Sequence, residues 1–196
     1  EISVREGSKD LILSDKEVNE KKAPIPMALA IGAINSRLVN LGIRGFASIN
    51  VQSGETLDTH SLAVLLGVGA TTINPYIAFD SIYQRYNKKL FGKFNFEECV
   101  NRYVKSLDNG LLKIMSKMGI SVLSAYRGGC NFEAVGLSRA LVTEYFPGMV
   151  SRISGIGIFG IEKKLKELHR KVFQKNISIL PIGGIYKYRK NGETHQ

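Results

Sequence analysis

Short apolar stretches typical of strands alternate with longer segments typical of helices, and this order constrains the fold more than any other feature. Strands are predicted at 10–15, 46–54, 70–76 and 120–126, and a helical segment follows each of them. This alternation predicts an α/β fold in which strand–helix units form a mainly parallel sheet or a partial barrel. We expect that arrangement to be incomplete at both ends of the chain.

The helices are predicted from caps, breakers and apolar spacing. They cover 23–42, 56–69, a turn at 77–86, a long helix from about 100 to 118, and 139–146. Thr56 or Asp58 can cap the second of these. A further helix follows Gly160, with an apolar stripe of Ile161, Leu165, Leu168 and Val172 that predicts packing on the body of the protein.

Polar residues follow each predicted strand and, in a parallel sheet, would gather at the edge where ligands commonly bind. They are Ser14, Asp15, Gln52, Ser53, Glu55, Asn74, Tyr76, Ser124, Tyr126 and Arg127.

Within that set, Arg127 is followed by Gly128 and Gly129, so its guanidinium could bind a carboxylate, a phosphate or a carbonyl. Pairing between Arg127 and Glu133 as a structural clamp is an equal alternative. Cys130 could be a nucleophile if a base approached it in space, whereas His60 lacks metal-ligand spacing and is more simply structural.

The glycines at 155, 157 and 160 fit the G-x-G-x-x-G pattern of dinucleotide-binding proteins, and a helix follows them. However, the preceding residues make a poor strand, and no acid lies near 175–183 to bind a ribose. A closely packed connector is therefore a better interpretation than a nucleotide-dependent enzyme.

Composition bounds the function. The net charge of +10 leaves open a stand-alone basic module that binds nucleic acid or another anionic partner. However, +6 of this charge falls in 159–196, where the solvated face of a helix accounts for much of the positive charge.

The longest apolar run, of about nine residues, is too short for a membrane span. Two cysteines and no signal-like leader indicate a reduced, intracellular protein.

Longer motifs carry a resemblance to a known family. The run KIMSKMGISVLSAYRGGCNFEAVGLSRA and the later SRISGIG, with LILSD, APIPMALAIGAI and SLAVLLGVGATTINPY upstream, resemble the large subunit of glutamate synthase. The resemblance covers essentially the whole chain. It places residues 1–157 in the C-terminal part of the central domain, and 158–196 in a connector leading toward the FMN-binding domain.

The resemblance implies an enzyme that converts glutamine, 2-oxoglutarate and reductant to two glutamates, with FMN and an iron–sulfur cluster in the full-length protein. It implies partner domains in the same parent chain, an amidotransferase and an FMN-binding domain, and a small NAD(P)H-oxidising subunit or ferredoxin as electron donor. The expected location is the cytoplasm, or the plastid stroma in a photosynthetic eukaryote. The central domain would link the catalytic domains and form part of the ammonia tunnel wall.

We therefore expect a scaffold with no catalytic, cofactor-binding or metal-binding residue of its own, inactive in isolation. Two cysteines cannot supply a cluster, and Gly129, Cys130 and Asn131 depart from the Ala-Gln-Ile of the family pattern. The candidates for holding the interdomain connection are Tyr126, Arg127, Gly128, Glu133, Ser151 and Arg152. A hairpin is predicted at Asn191–Gly192, so close to the end that we expect the chain to be a fragment.

Overall fold

A computed structural model describes residues 1–174 and confirms the predicted α/β class. The parallel strands β1 (Asp10–Ser14), β2 (Ser48–Gln52) and β3 (Thr72–Asn74) form a sheet in that order. The helices are α1 (Ile2–Arg5), α2 (Met27–Asn40), α3 (Thr59–Gly67), α4 (Tyr76–Asn87), α5 (Phe96–Lys117), α6 (Leu123–Tyr126), α7 (Arg139–Tyr145) and α8 (Ile158–Val172). The predicted hairpin at 191–192 lies outside the described residues.

One face of the sheet builds the main core. Ile49 and Val51 of β2 are buried there, and Leu11, Leu13 and Ile73 of the outer strands pack against the same cluster. Ile31 of α2, Leu65 and Leu66 of α3 and Met115 of α5 complete that core. The helices therefore cover one side of the sheet.

Helix boundaries follow the local signals. Helix α2 begins directly after Pro26 and ends before Gly42, whose φ of +70° suits glycine. Of the two candidate caps for α3, Asp58 is the one whose side chain accepts from Ser61 N. The predicted turn at 77–86 is a full helix of 12 residues.

The predicted strand at 120–126 is wrong. Gly119 follows α5 with a φ of +71°, Val122 is extended, and the chain then turns into the short helix α6 without pairing to the sheet. Ile120 and Val122 have high strand propensity, but propensity does not tell whether a sheet edge is available for pairing. The helical turn instead directs Tyr126 into the core, where it is fully buried.

Residues 133–156 form a smaller packing unit around α7. Parallel bridges join Glu133 to Val150 and Leu137 to Ile156. Its apolar centre is Ala134, Leu141 and Val142, and Ile161 of α8 packs against it. The rest of the predicted α8 stripe is less covered, since Leu168 is 66% exposed and Val172 is 46% exposed.

Candidate functional site: the polar face of the sheet

The second face of the sheet carries short polar side chains that no helix covers in the described part of the chain. We call it the polar face, and it consists of Asp10, Ser14, Ser48, Asn50, Gln52, Thr72 and Asn74, with Ile12 among them. The side chains of β1 and β3 on this face are exposed, and those of β2 are half-buried. A parallel sheet is usually covered on both sides, so this open polar face is unusual.

Hydrogen bonds across the strands tie the polar face together. Asn50 Nδ2 donates to Asp10 Oδ1 at 3.0 Å, and Asn50 Oδ1 accepts from Thr72 Oγ1 at 2.7 Å. Ser48 Oγ also donates to Asp10, and the two bonds lower the pKa of that carboxyl, the one from Ser48 most. Further along, Ser14 Oγ donates to Gln52 Oε1 at 2.8 Å. The side chains are thus held in place without an apolar cover.

The polar face offers little reactivity within the three strands. Its members are amides, hydroxyls and one carboxylate that already accepts two hydrogen bonds. Its one base is the Asp10 carboxylate, and the bonds that it accepts from Ser48 and Asn50 lower its pKa, which makes it a weak proton acceptor. The arrangement suits contact with a polar surface or a small polar solute better than catalysis.

At the carboxyl edge of the sheet, Asp15 organises the loop that follows β2. Its carboxylate accepts from Ser53 Oγ at 3.1 Å and from Gly54 N at 2.9 Å. Ser53 Oγ in turn accepts from Glu55 N, and Glu55 Oε2 accepts from Met27 N at the start of α2. The predicted clustering of polar residues at this edge is therefore correct for these side chains, and their bonds are structural.

Tyr76 belongs to the same edge. Burial, and after it hydrogen bonding to Asp15 and the charges of Asp15 and Asp80, raise the pKa of Tyr76 to about 12. The phenol therefore stays protonated at physiological pH. Lys16 lies over its ring, 5.2 Å from the centroid.

Ser124 and Arg127 do not join that edge. They line a cavity at the opposite, amino end of the strands, beside Lys9, Ser48 and Thr71. The reason is the missing fourth strand, because the turn into α6 carries these residues to the other end of the sheet. This part of the predicted cluster is wrong.

The six interdomain candidates fall into two groups. In the first, Tyr126 packs edge-on against Phe132, with ring centroids 6.2 Å apart, and burial raises the pKa of its phenol. Gly128 N donates to Gly67 O at 2.8 Å, which attaches the loop to the end of α3. Arg127 lies between them and is half-buried.

The second group holds the smaller unit together. Arg152 pairs with Glu133 at 3.4 Å, so the acid offered as a clamp for Arg127 has a different partner. Ser151 Oγ donates to Leu137 O at 3.2 Å. Arg139, which sequence reasoning missed, donates to Ser151 O and Arg152 O at 3.2 and 3.1 Å. Its partners are backbone carbonyls, which leave no signal in the sequence.

The glycine motif has a packing role in the structure. A Cβ on Gly155 would lie 2.1 Å from Gly136 O, so this position requires glycine for close backbone contact. Ile156 N donates to Gly136 O, and Gly157 then precedes the first residue of α8. Residues 150–157 form isolated bridges rather than the strand that a dinucleotide site needs.

The thiols do not fit the iron–sulfur cluster implied by the resemblance. Cys99 is buried in α5, while Cys130 is exposed in the loop after Gly129, outside any helix. Between residues 1 and 174, no three His, Cys, Asp or Glu side chains are placed to hold a metal ion together.

Comparison with known proteins identifies the family. The family model described as glutamate synthase central domain matches residues 1–138. The chain belongs to this family. The match includes the whole sheet, the polar face and α2 to α6.

Relatives extend the similarity over the full chain. The chain is 52% identical over 195 residues to the glutamate synthase [NADPH] large chain of Azospirillum brasilense and 40% identical over 196 residues to that of Bacillus subtilis. It is 35% identical to the chloroplastic ferredoxin-dependent glutamate synthase of Spinacia oleracea, with 98% of the chain covered. In each case the chain spans only 13% of the relative's length.

In the described part of the chain, no helix is long and apolar enough to cross a membrane.

The polar face was not predicted from the sequence, although Ser48, Asn50 and Gln52 alternate with Ile49 and Val51. That alternation predicted a strand, and it also indicates that one face of the strand is polar and the other apolar.

Proposed function

We propose that this segment acts as an interdomain scaffold and tunnel wall in a glutamate synthase, without catalytic residues of its own. The observation that carries the proposal is the polar face. It is preorganised by cross-strand hydrogen bonds and uncovered in the described residues, as expected for a surface that meets another part of a larger protein.

A wall of this kind suits ammonia. Hydroxyl and amide groups can exchange hydrogen bonds with a small polar molecule, whereas a cationic lining would repel ammonium and an anionic lining would retain it. The amides and hydroxyls of the polar face fit that requirement. The exposed carboxylate, Asp10, is already engaged by Ser48 and Asn50.

The parent protein would convert glutamine, 2-oxoglutarate and reductant to two glutamates. Its amidotransferase domain, and an FMN-binding domain with FMN and an iron–sulfur cluster, would lie elsewhere in the same parent chain. A small NAD(P)H-oxidising subunit or ferredoxin would deliver electrons. Higher identity to the two NADPH-named large chains than to the spinach ferredoxin-dependent one favours NADPH as the reductant. We place the parent in the cytoplasm, or in the plastid stroma of a photosynthetic eukaryote.

We retain a division into 1–157, the end of the central domain, and 158–196, the connector. The bridges from Glu133 to Val150 and from Leu137 to Ile156 support assigning 150–156 to the first part. In this proposal Glu133, Ser151 and Arg152 fix the exit of the domain, and Tyr126 and Gly128 fix the loop behind it.

The test is the coupling between glutamine hydrolysis and glutamate formation in a large chain that carries this sequence. Asn50→Leu keeps the side-chain size but removes the centre of the hydrogen-bond network. We expect glutamine-dependent glutamate formation to fall several-fold, while formation from added ammonia and the hydrolysis of glutamine continue.

Asn101→Leu, on the exposed surface of α5, is the matched control and should leave coupling unchanged. Thr72→Val, which removes only the bond to Asn50, is a second variant for the case that Asn50→Leu impairs folding. If both polar-face variants fold and keep full coupling, the tunnel-wall proposal is wrong.

A further inference from the structure

The cavity at the amino ends of the three strands has a volume of about 790 Å³, within the range of small-molecule sites. Arg44 and Arg127 both line it, and we call it the arginine cavity. It lies at the opposite edge of the sheet from Asp15, so it is separate from the loop that Asp15 organises.

Arg44 is rigidly held, yet the groups to which it donates within residues 1–174 are all neutral. Nε donates to Asn35 Oδ1 at 2.8 Å, and the two terminal nitrogens donate to Ala47 O at 2.5 Å and Gly69 O at 2.8 Å. Burial, and after it the positive charge of Arg127, lower the pKa of the Arg44 guanidinium. Arg44 and Arg127 both line this cavity, so two positive charges face the same space.

Arg127 is also incompletely satisfied. Within residues 1–174, its buried Nε atom has no hydrogen-bond partner. The backbone on both sides is fixed, since Arg127 N donates to Leu123 O and Gly128 N donates to Gly67 O. A buried N–H without an acceptor costs about 1–3 kcal/mol, and more when the group is charged. Because this atom has almost no accessible surface, an external acceptor reaches it only when the side chain turns toward the cavity that Arg127 lines.

The acidic side chain of the cavity lining does not meet this need. Asp10 Oδ1 accepts from Ser48 and Asn50 on the polar face, and the bonds of Arg44 go to Asn35, Ala47 and Gly69 instead. Lys9 adds a third positive charge to the lining. Counting Lys9, Arg44 and Arg127 against Asp10, the cavity has an excess of two positive charges.

We propose that the arginine cavity binds an oxyanion, a phosphate or carboxylate group, between Arg44 and Arg127. A guanidinium pair gives such a group several charge-assisted hydrogen bonds and removes the repulsion between the cations. The group can belong to a free metabolite or to an acidic side chain of an adjoining domain. The proposal does not depend on the tunnel-wall function.

Inorganic phosphate is the probe, titrated into the 196-residue chain by calorimetry at constant ionic strength. We expect saturable binding to one site and at least tenfold weaker binding in Arg127→Gln. Arg85→Gln, which removes an exposed arginine of α4, is the matched control and should bind as the parent does.

Cys130 supplies an independent readout because it lines the same cavity and is exposed, whereas Cys99 is buried. Phosphate should slow its alkylation by a maleimide in the parent chain and in Arg85→Gln, but not in Arg127→Gln. If Arg127→Gln does not fold, Ser124→Asp replaces it. Ser124 lines the cavity one helical turn before Arg127, and a carboxylate there should displace phosphate.

Absence of saturable binding to the parent chain, or equal binding by Arg127→Gln and Arg85→Gln, would overturn the proposal. The same titration on a large chain that contains this segment distinguishes a free anion from an acidic side chain of another domain. If it also binds phosphate at Arg127, the ligand is a free anion. If only the 196-residue chain binds, an acidic side chain of another domain fills the site, and either result supports an oxyanion site.

Discussion

At the residue scale, Asp58 decides where α3 begins. Its Oδ1 accepts from Ser61 N at 2.8 Å and from Ser61 Oγ at 2.6 Å, and these bonds, the side-chain one first, lower the pKa of the carboxyl. A lowered folded-state pKa means that the charged cap stabilises the fold above the ordinary aspartate value of about 4 and loses this effect as pH falls through the folded value.

We expect Asp58→Ala to lower the free energy of unfolding by about 1 kcal/mol at neutral pH, because the cap is lost. Urea denaturation between pH 7 and pH 3 measures it, and the difference from the parent chain should shrink toward pH 3. Asp58→Asn keeps a neutral cap, so it should retain most of the stability. An unchanged difference across that pH range would show that the charge contributes nothing.

At the element scale, the contact between α3 and α5 depends on a glycine within a helix. Gly110 lies inside α5, and a Cβ there would be 2.5 Å from Thr59 Oγ1 and 2.6 Å from Thr59 Cγ2. Helix propensity alone favours alanine over glycine by about 1 kcal/mol, so clash and propensity act in opposite directions. We expect the steric clash with Thr59 to outweigh the gain in helix propensity.

Gly110→Ala should therefore destabilise the chain by about 1–3 kcal/mol in urea denaturation, the usual range for overpacking. Thr59→Ala removes the two clashing atoms, and the double variant Thr59→Ala/Gly110→Ala should recover most of the loss. Such a cycle reports the coupling between the two positions. If Gly110→Ala alone raised the free energy of unfolding, the two helices could move apart without loss of stability, and the prediction would be wrong.

At the scale of the whole molecule, stability is expected to be uneven. Helix α5 buries Cys99, Leu107, Leu111 and Met115, whereas no residue of α8 is buried. Helix α8 is attached through Ile161 and through a contact of 2.8 Å between His169 Nε2 and Asn19 O. Few buried contacts permit local opening at low free energy.

Hydrogen exchange followed by mass spectrometry tests this gradient. Amides of 158–172 should exchange at least tenfold faster than those of 99–115 in the 196-residue chain. In a large chain that contains the segment, α8 should gain protection if the connector is covered there. Equal protection of α5 and α8 in the shorter chain would contradict the uneven distribution.

The same elements show how far sequence reasoning reaches. The long helix was predicted because a single apolar stripe runs through it, and Leu107, Leu111 and Met115 of that stripe are buried. Its Val104 and Met118 are 37% and 44% exposed, because the stripe is wider than the surface that α3 and α4 offer. The strand at 120–126 failed because pairing needs a neighbouring edge, which is a non-local condition.

The sequence by itself determined the alternating α/β order, the helix ends at Pro26, Gly42 and Gly119, and the family resemblance, since these depend on local chemistry and on long motifs. Only the tertiary structure decided which polar residues meet. It joined Asp10 to Asn50 across 40 positions, paired Glu133 with Arg152, and placed Arg127 and Arg44 in the lining of one cavity at the amino edge. Such encounters depend on strand register and on the turn into α6, which no local pattern encodes.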